Sequence, residues 1–244
     1  MKAFILAAGN GTRLRPLTDS TPKCLLPIRG TPLLEIWLEK CRASGIAEVL
    51  VNAHAHAEKV RAFVRRQATG VTVHIAEEKT LLGSAGTLAQ NRGFVEGEEA
   101  FFVLYGDVLT DMNLLELLQF HREKRTAATL AVHQVADPTR CGVVITDEND
   151  TVKSFVEKPA RAESNWVFSG MMVAGTEILD LVPEQRPADI GLDLLPKLAG
   201  KMAASKMAGF VLDIGTVSNY TAAQSCWPGQ TQAKALTTFQ PRKP

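Results

Sequence analysis

Lys2-Ala3-Phe4-Ile5-Leu6-Ala7-Ala8-Gly9-Asn10-Gly11-Thr12-Arg13 is the stretch on which the fold turns. Its first half is a short apolar run, which suits a strand covered on both faces rather than one with a wet face. Its second half is a glycine-rich turn. Pro32 to Arg42 then places Leu33, Leu34, Trp37, Leu38 and Cys41 at helical spacing and stops at Gly45, and Glu48 to Asn52 reads as the next strand. The alternation continues with a helix over Glu58 to Gln67, a strand over Val71 to Ala76, a small-residue helix after Gly86 and the apolar strand Ala100 to Tyr105. The crossover rules make these strands parallel in one Rossmann-like α/β sheet with helices on both faces.

Beyond Asp107 the pattern loosens. A helix over Leu114 to Lys124 and a strand over Ala127 to His133 are followed by strands near Val143 to Ile145, Thr151 to Val156 and Trp166 to Val173. Helices around Glu177 to Leu181 and Leu192 to Leu198, a strand at Phe210 to Asp213 and a helix from Val217 to Ala223 complete the reading. The second half is expected to be a smaller, more antiparallel extension. Residues 1–226 form the expected domain, and 227–244, which lack an apolar period, the expected mobile C-terminal tail.

Composition narrows the function classes. The 244 residues are 45% apolar and 22% charged, and 27 Lys and Arg against 26 Asp and Glu leave a net charge of +1, so no global field points to nucleic acid or an anionic membrane. Any anion must be held locally. Cys24, Cys41, Cys141 and Cys226 are far apart, without zinc-site or disulfide-framework spacing, which suggests a reducing, cytoplasmic setting. The glycine turn follows the first apolar run too soon for a signal peptide, no segment approaches the roughly 18 apolar residues of a membrane span, and no repeat is seen.

The turn itself carries chemistry. Gly9 and Gly11 let backbone amides approach an anion closely, and Arg13 and Lys23 supply positive charge, a polyphosphate cradle in composition, although a plain tight turn has the same glycines. The dinucleotide fingerprint fails, because Leu14 and Pro16 stand where a third glycine should open a helix, and the Gly-Lys-Ser/Thr of a P-loop is absent. Asp107 ends a buried strand at its carboxyl edge, where open α/β sheets bind ligands; it suits either a Mg²⁺ ligand or a helix cap, with Asp111 and Asn113 better placed to cap. Asp213 is a metal ligand if it pairs with Asp107 and a turn residue otherwise. Glu157-Lys158-Pro159 follows an alternating strand, and the proline predicts an extended Lys158 beside a carboxylate, fit for a sugar phosphate or for an exposed ion pair. Gly142 could let a sugar lie against backbone or mark a bulge. His54 and His56 read as a solvated helix entrance, and Ser44, Ser84 and Ser169 lack a local base, so no covalent intermediate is expected.

The pattern Gly9-x-Gly11-Thr12-Arg13-Leu14-x-Pro16-Leu17-Thr18 with Pro22-Lys23 downstream resembles the signature of sugar-1-phosphate nucleotidylyltransferases, which include mannose-1-phosphate guanylyltransferases and glucose-1-phosphate thymidylyltransferases. Later segments match in order. Glu78 to Gly86 looks like the family's base-recognition stretch and Gly106-Asp107 like its metal-binding pair. Cys141-Gly142-Val143-Val144, Glu157-Lys158-Pro159, Ser169-Gly170 and Leu212-Asp213-Ile214-Gly215-Thr216 resemble the sugar-side segments and the second metal aspartate.

The resemblance implies a GT-A-like fold and a Mg²⁺-dependent reaction in which an NTP and a sugar 1-phosphate give NDP-sugar and pyrophosphate. Ala8, Gly9, Gly11, Thr12, Arg13, Lys23, Glu78, Gly83 and Ser84 would bind nucleotide, and Gly142, Glu157, Lys158, Ser169 and Gly170 the sugar phosphate. Arg13, Lys23 and Lys158 would be catalytic, with Asp107 and Asp213 on Mg²⁺. Gly83-Ser84-Ala85-Gly86 is closer to the Gly-Thr-Ala-Gly of guanylyltransferases than to the thymidylyl and uridylyl pattern, which favours GTP with a mannose- or heptose-type sugar and a place in cell-envelope polysaccharide synthesis. Phe168 stands where the family commonly has Asn, which leaves glucose and amino-sugar 1-phosphates open. A catalytically silent nucleotide-sensing subunit is the competing reading, and whether the chain acts alone or as a homo-oligomer is open.

Overall fold

The computed structural model describes residues 1–229. Its centre is a nine-stranded sheet with a parallel half and a mostly antiparallel half. In the parallel half, β1 (Lys2–Leu6) lies between β4 (Glu48–Ala53) and β6 (Phe101–Tyr105), with β5 (Thr72–Glu77) outside β4. Two-residue strands β2 (Pro27–Ile28) and β3 (Thr31–Pro32) form a separate ribbon before helix α1 (Leu33–Ala43). Alternation along these strands feeds two cores. Ala3, Ile5, Val49, Val51, Phe102 and Leu104 join one, while Phe4, Leu50, Phe101 and Val103 join the other.

Both faces are thus dry, as the continuous apolar runs demand. The first core is closed by α1, α2 (Ala57–Val64), α4 (Leu114–Lys124) and α5 (Val217–Cys226), which contribute Trp37, Val60, Leu117 and Ala223. The second is closed by α3 (Ser84–Gln90) and the segment of residues 176–198. Asn113 caps α4, its side chain accepting from the Leu115 amide at 2.9 Å, as the sequence suggested.

In the other half, β11 (Trp166–Ala174) pairs antiparallel with β8 (Ala128–Gln134) along both of its halves. On its opposite side, β11 meets β9 (Gly142–Thr146) near its start and β6 near its end; β10 (Val152–Glu157) pairs outside β9. This is the expected antiparallel extension, with two differences. The segments 176–181 and 190–198 are short 3₁₀ and π turns rather than α-helices, and β12 (Met202–Lys206), absent from the sequence reading, pairs parallel with β8. α3 begins at Ser84 rather than after Gly86 because Gly83, with φ of 78°, makes the turn into it.

A second missed strand matters more. β7 (Val108–Thr110) follows β6 directly and pairs antiparallel with β13 (Val211–Asp213), a ribbon that overhangs the carboxyl ends of the parallel strands. Trp227, placed with the tail by the sequence, is 5% exposed and packs edge-on against Phe210, so the folded unit runs at least that far. The rest of that tail, from residue 230, lies outside the described residues. No helix among the described residues is long and apolar enough to cross a membrane.

Candidate active site

Where β1 leaves the sheet, a cleft of about 250 Å³ opens, lined by Leu6, Ala7, Gly9 to Arg13, Lys23, Cys24, Gly106, Asp107 and Gly215. Gly11 is required twice over. Its φ is +62°, and a Cβ there would lie 2.9 Å from Thr18 Cγ2, while the Thr18 hydroxyl donates to the Gly11 carbonyl at 2.8 Å. The 3₁₀ turn Thr12–Leu14 buries Leu14 as an anchor.

Charge gathers at one point of this cleft. The Lys23 ammonium, 10% exposed, lies 2.6 Å from Asp107 Oδ2 and 3.5 Å from Asp213 Oδ1. The β7–β13 ribbon causes the meeting: its register sets Asp213 opposite Val108, and the Ile214 amide donates to the Asp107 carbonyl at 3.0 Å. The Gly215 amide holds Asp213 Oδ1 at 2.6 Å. A Cβ on Gly215 would lie 2.7 Å from that oxygen, 3.0 Å from Arg13 Nη2 and 3.1 Å from Lys23 Nζ, so three charged groups from two distant parts of the chain surround one glycine, and Asp107 joins them through its ion pair with Lys23. Asp107 and Asp213 keep 37% and 54% side-chain exposure, open to a ligand. Burial pushes the Cys24 thiol, at the edge of the cleft, up to about 12, so it stays protonated at neutral pH.

The segments read as a sugar side are built differently. Glu157 ends β10 opposite Gly142 on β9, and its Oε1 lies 3.0 Å from Lys158 Nζ. A Cβ on Gly142 would meet Phe155 Cζ at 2.4 Å and Glu157 Oε2 at 2.9 Å, so the glycine makes room for protein groups first. Lys158 is not extended as the following proline predicted: its φ is +47°. Its amide donates to the Cys141 carbonyl at 3.0 Å, continuing the antiparallel β10–β9 register one residue beyond Glu157 and Gly142, and its side chain is 66% exposed.

Ser169 and Gly170 sit where the pairing of β11 with β8 shifts register. Gly170 has φ of +73°, and its Cβ would lie 2.9 Å from Val108 Cγ2 and 3.0 Å from Tyr105 Cβ. Ser169 is 2% exposed, with its hydroxyl 2.9 Å from His133 Nδ1, an internal contact.

The stretch read as base recognition is also largely tied to protein. Glu78 is 5% exposed, and its carboxylate accepts from Asn52 Nδ2 at 2.8 Å, Thr87 Oγ1 at 2.5 Å and the Leu82 amide at 3.0 Å. It does not face the cleft, because three donors draw it inward. A Cβ on Gly83 would lie 2.2 Å from the Ala188 carbonyl oxygen, and the Ser84 hydroxyl donates to Asp189 Oδ2 at 2.8 Å while accepting from the Ile190 amide at 2.7 Å. Gly83 and Ser84 therefore lock α3 onto residues 188–190. Ala8 is 7% exposed, leaving its backbone rather than its side chain for a ligand.

Tyr105 and Asp189 were missed by the sequence reading. Tyr105 ends β6 edge-on to Phe168, and its phenol is raised by burial and then by Asp189, with Glu157 and Asp107 adding to the shift. It thus stands between the two sides. A half-buried aromatic closing an apolar strand reads as core, so only its neighbours disclose its place.

A family model described as nucleotidyl transferase matches residues 2–227. The chain belongs to that family. It is 36% identical over 238 residues to a UTP–glucose-1-phosphate uridylyltransferase of Synechocystis sp., covering 90% of this chain and 61% of that one. To a mannose-1-phosphate guanylyltransferase catalytic subunit beta of Drosophila pseudoobscura pseudoobscura it is 34% identical over 224 residues, covering 90% and 60%. The chain thus spans about three fifths of the length of these curated relatives. HddC from Yersinia pseudotuberculosis, solved with GMP-PN, shares the fold with a TM-score of 0.77 at 24% identity, over 91% of this chain and 97% of that one.

Proposed function

We propose that the chain is a sugar-1-phosphate nucleotidylyltransferase that makes NDP-sugar and pyrophosphate, with GTP and a mannose- or heptose-type sugar 1-phosphate as the favoured pair. One observation carries this reading: Arg13, Lys23 and Asp213 converge on Gly215 at the mouth of an amide-rich turn, and Asp107 pairs with the same Lys23 ammonium. Two cations and two hard carboxylate donors at the carboxyl ends of parallel strands match what an in-line attack on the α-phosphorus requires, which is positioning and charge neutralisation.

A sugar-phosphate oxygen forms the new P–O bond as the bond to pyrophosphate breaks. The amides of Gly9, Gly11 and Thr12, together with Arg13, bind the β- and γ-phosphates, and Lys23 stabilises the α-phosphate as charge moves toward the leaving group. Lys158 holds the attacking phosphate and Glu157 accepts from sugar hydroxyls. Ala8, Gly83 and Ser84 shape the nucleoside side through backbone, and Gly142 and Gly170 shape the sugar side.

Asp107 and Asp213 fit Mg²⁺. Among the described residues no three His, Cys, Asp or Glu gather as a metal cluster, and two carboxylates suit an ion that arrives with its own phosphate and water ligands. The Lys23 ammonium already bridges the pair as a protein-borne cation. When bound, Mg²⁺ would offset the charge of the triphosphate and departing pyrophosphate.

The similarity to a uridylyltransferase supports a second pairing, UTP or dTTP with glucose 1-phosphate. Pyrophosphate release with GTP, dTTP, UTP, CTP and ATP against a panel of sugar 1-phosphates with Mg²⁺ tests both pairings. Release from no combination overturns the proposal.

A further inference from the structure

We infer that Glu78 is a positioning residue that couples the loop of residues 79–83 to the phosphate-binding turn through Asn52, and that it does not touch the nucleobase; this rests on the site being a nucleotide site. Leu6 is the last residue of β1 in register with β4, opposite Asn52. The next amide, that of Ala7, has left the ladder and donates to the Asn52 side-chain oxygen at 2.6 Å. A side chain thus continues the sheet by one bond at the point where the phosphate turn begins.

Glu78 fixes which way that amide faces. Its Oε1 accepts from Asn52 Nδ2 at 2.8 Å, so Asn52 Oδ1 must point to Ala7. The same oxygen accepts from Thr87 on α3, and the other oxygen takes the Leu82 amide. Three neutral donors therefore solvate a carboxylate that is 5% exposed, with Asn52 at 4% and Thr87 at 0%. Leu82 in turn accepts from the Ala188 amide at 2.9 Å, which ties the loop to the segment carrying Asp189. A chain of hydrogen bonds thus runs from residue 188 through Leu82, Glu78 and Asn52 to Ala7.

Replacing the carboxylate by an amide leaves one acceptor oxygen and puts a donor against either the Leu82 amide or the Asn52 and Thr87 donors, so the chain of bonds is broken at one end and its remaining members loosen. Hydrogen–deuterium exchange on the full chain carrying Glu78→Gln is expected to quicken at least fivefold in peptides covering residues 79–83 and 7–13, and to be unchanged in β8. Thr87→Val, a near-isosteric change, should do the same, and Thr87→Ser should restore the wild-type pattern. Exchange that quickens only at 79–83, or at neither segment, overturns the coupling.

With NTPs, Glu78→Gln should lower kcat tenfold or more for every base the wild type accepts, leaving the order of preference intact. A changed order would mean base contact and would overturn the inference. A wild type inactive with all NTPs sinks the proposed activity, while the exchange pattern still decides the coupling.

Discussion

The two sides of the cleft differ in where their polar groups are spent. On one side, Lys23 is ion-paired with both Asp107 and Asp213 beside Arg13, and the aspartates stay over a third exposed. On the other, Ser169 is bonded to His133, Gly142 accommodates Phe155, and Glu157 with Lys158 remains as the charged pair. The charged groups of the first side pair with one another yet keep open faces, whereas the Ser169 hydroxyl of the second is spent on a bond within the protein. Under the proposed function the first side is the part built for chemistry, and the second is mostly framework with two projecting side chains.

The largest expected effect breaks the phosphate side. Lys23→Ala and Asp107→Asn should each lower kcat by about 10²- to 10³-fold with an unchanged far-ultraviolet circular dichroism spectrum. Near-normal turnover in both would dissolve the contrast.

A second test goes beneath the same side. Lys40 on α1 is 7% exposed and donates to the Met112 carbonyl at 2.8 Å, just after β7. Desolvation lowers its ammonium from 10.5 to about 8, although Asp111 pulls the other way. The unfolded chain therefore binds more protons between these values, so this group makes stability rise with pH from about 8 to 10.5, by about 3 kcal/mol. Buried Cys24 and Cys41 and half-buried Tyr105, all raised, act in the opposite direction over that range. The difference between wild type and Lys40→Met in urea titrations isolates the lysine, and a flat difference would refute the assignment.

Sugar-side effects should be smaller. Lys158→Ala is expected to raise KM for the sugar 1-phosphate about tenfold, leaving KM for the NTP unchanged, in steady-state kinetics with each substrate varied in turn. Ser169→Ala should cost about 1 kcal/mol and lower Tm by about 2–4 °C without moving either KM. A KM shift there would return Ser169 to the substrate.

Much of this was legible in the residues. The alternation of apolar runs and helical stripes gave the parallel half of the sheet, and Gly11, Arg13, Lys23, Asp107 and Asp213 could be picked by chemistry and pattern. The ribbon that joins the aspartates was not legible, because β7 and β13 have three residues each, too few to show a period. Lys158 also departs from the local bias of a residue before proline: its φ is +47° while its amide continues the pairing with β9 at Cys141. Glu78 and Ser84 read as nucleotide-binding residues by resemblance, but what each side chain faces is set by Asn52, Thr87 and Asp189, all remote enough to be invisible locally.

Residue order alone determined that this polypeptide forms an α/β sheet with a cationic glycine turn at its edge, since burial on two faces and the backbone freedom of glycine are local demands. Only the tertiary structure decided which carboxylates lie open beside Lys23 and which is solvated inside by neutral donors. Hydrogen bonds and charges act over a few ångströms, and which groups come that close is a property of the whole fold.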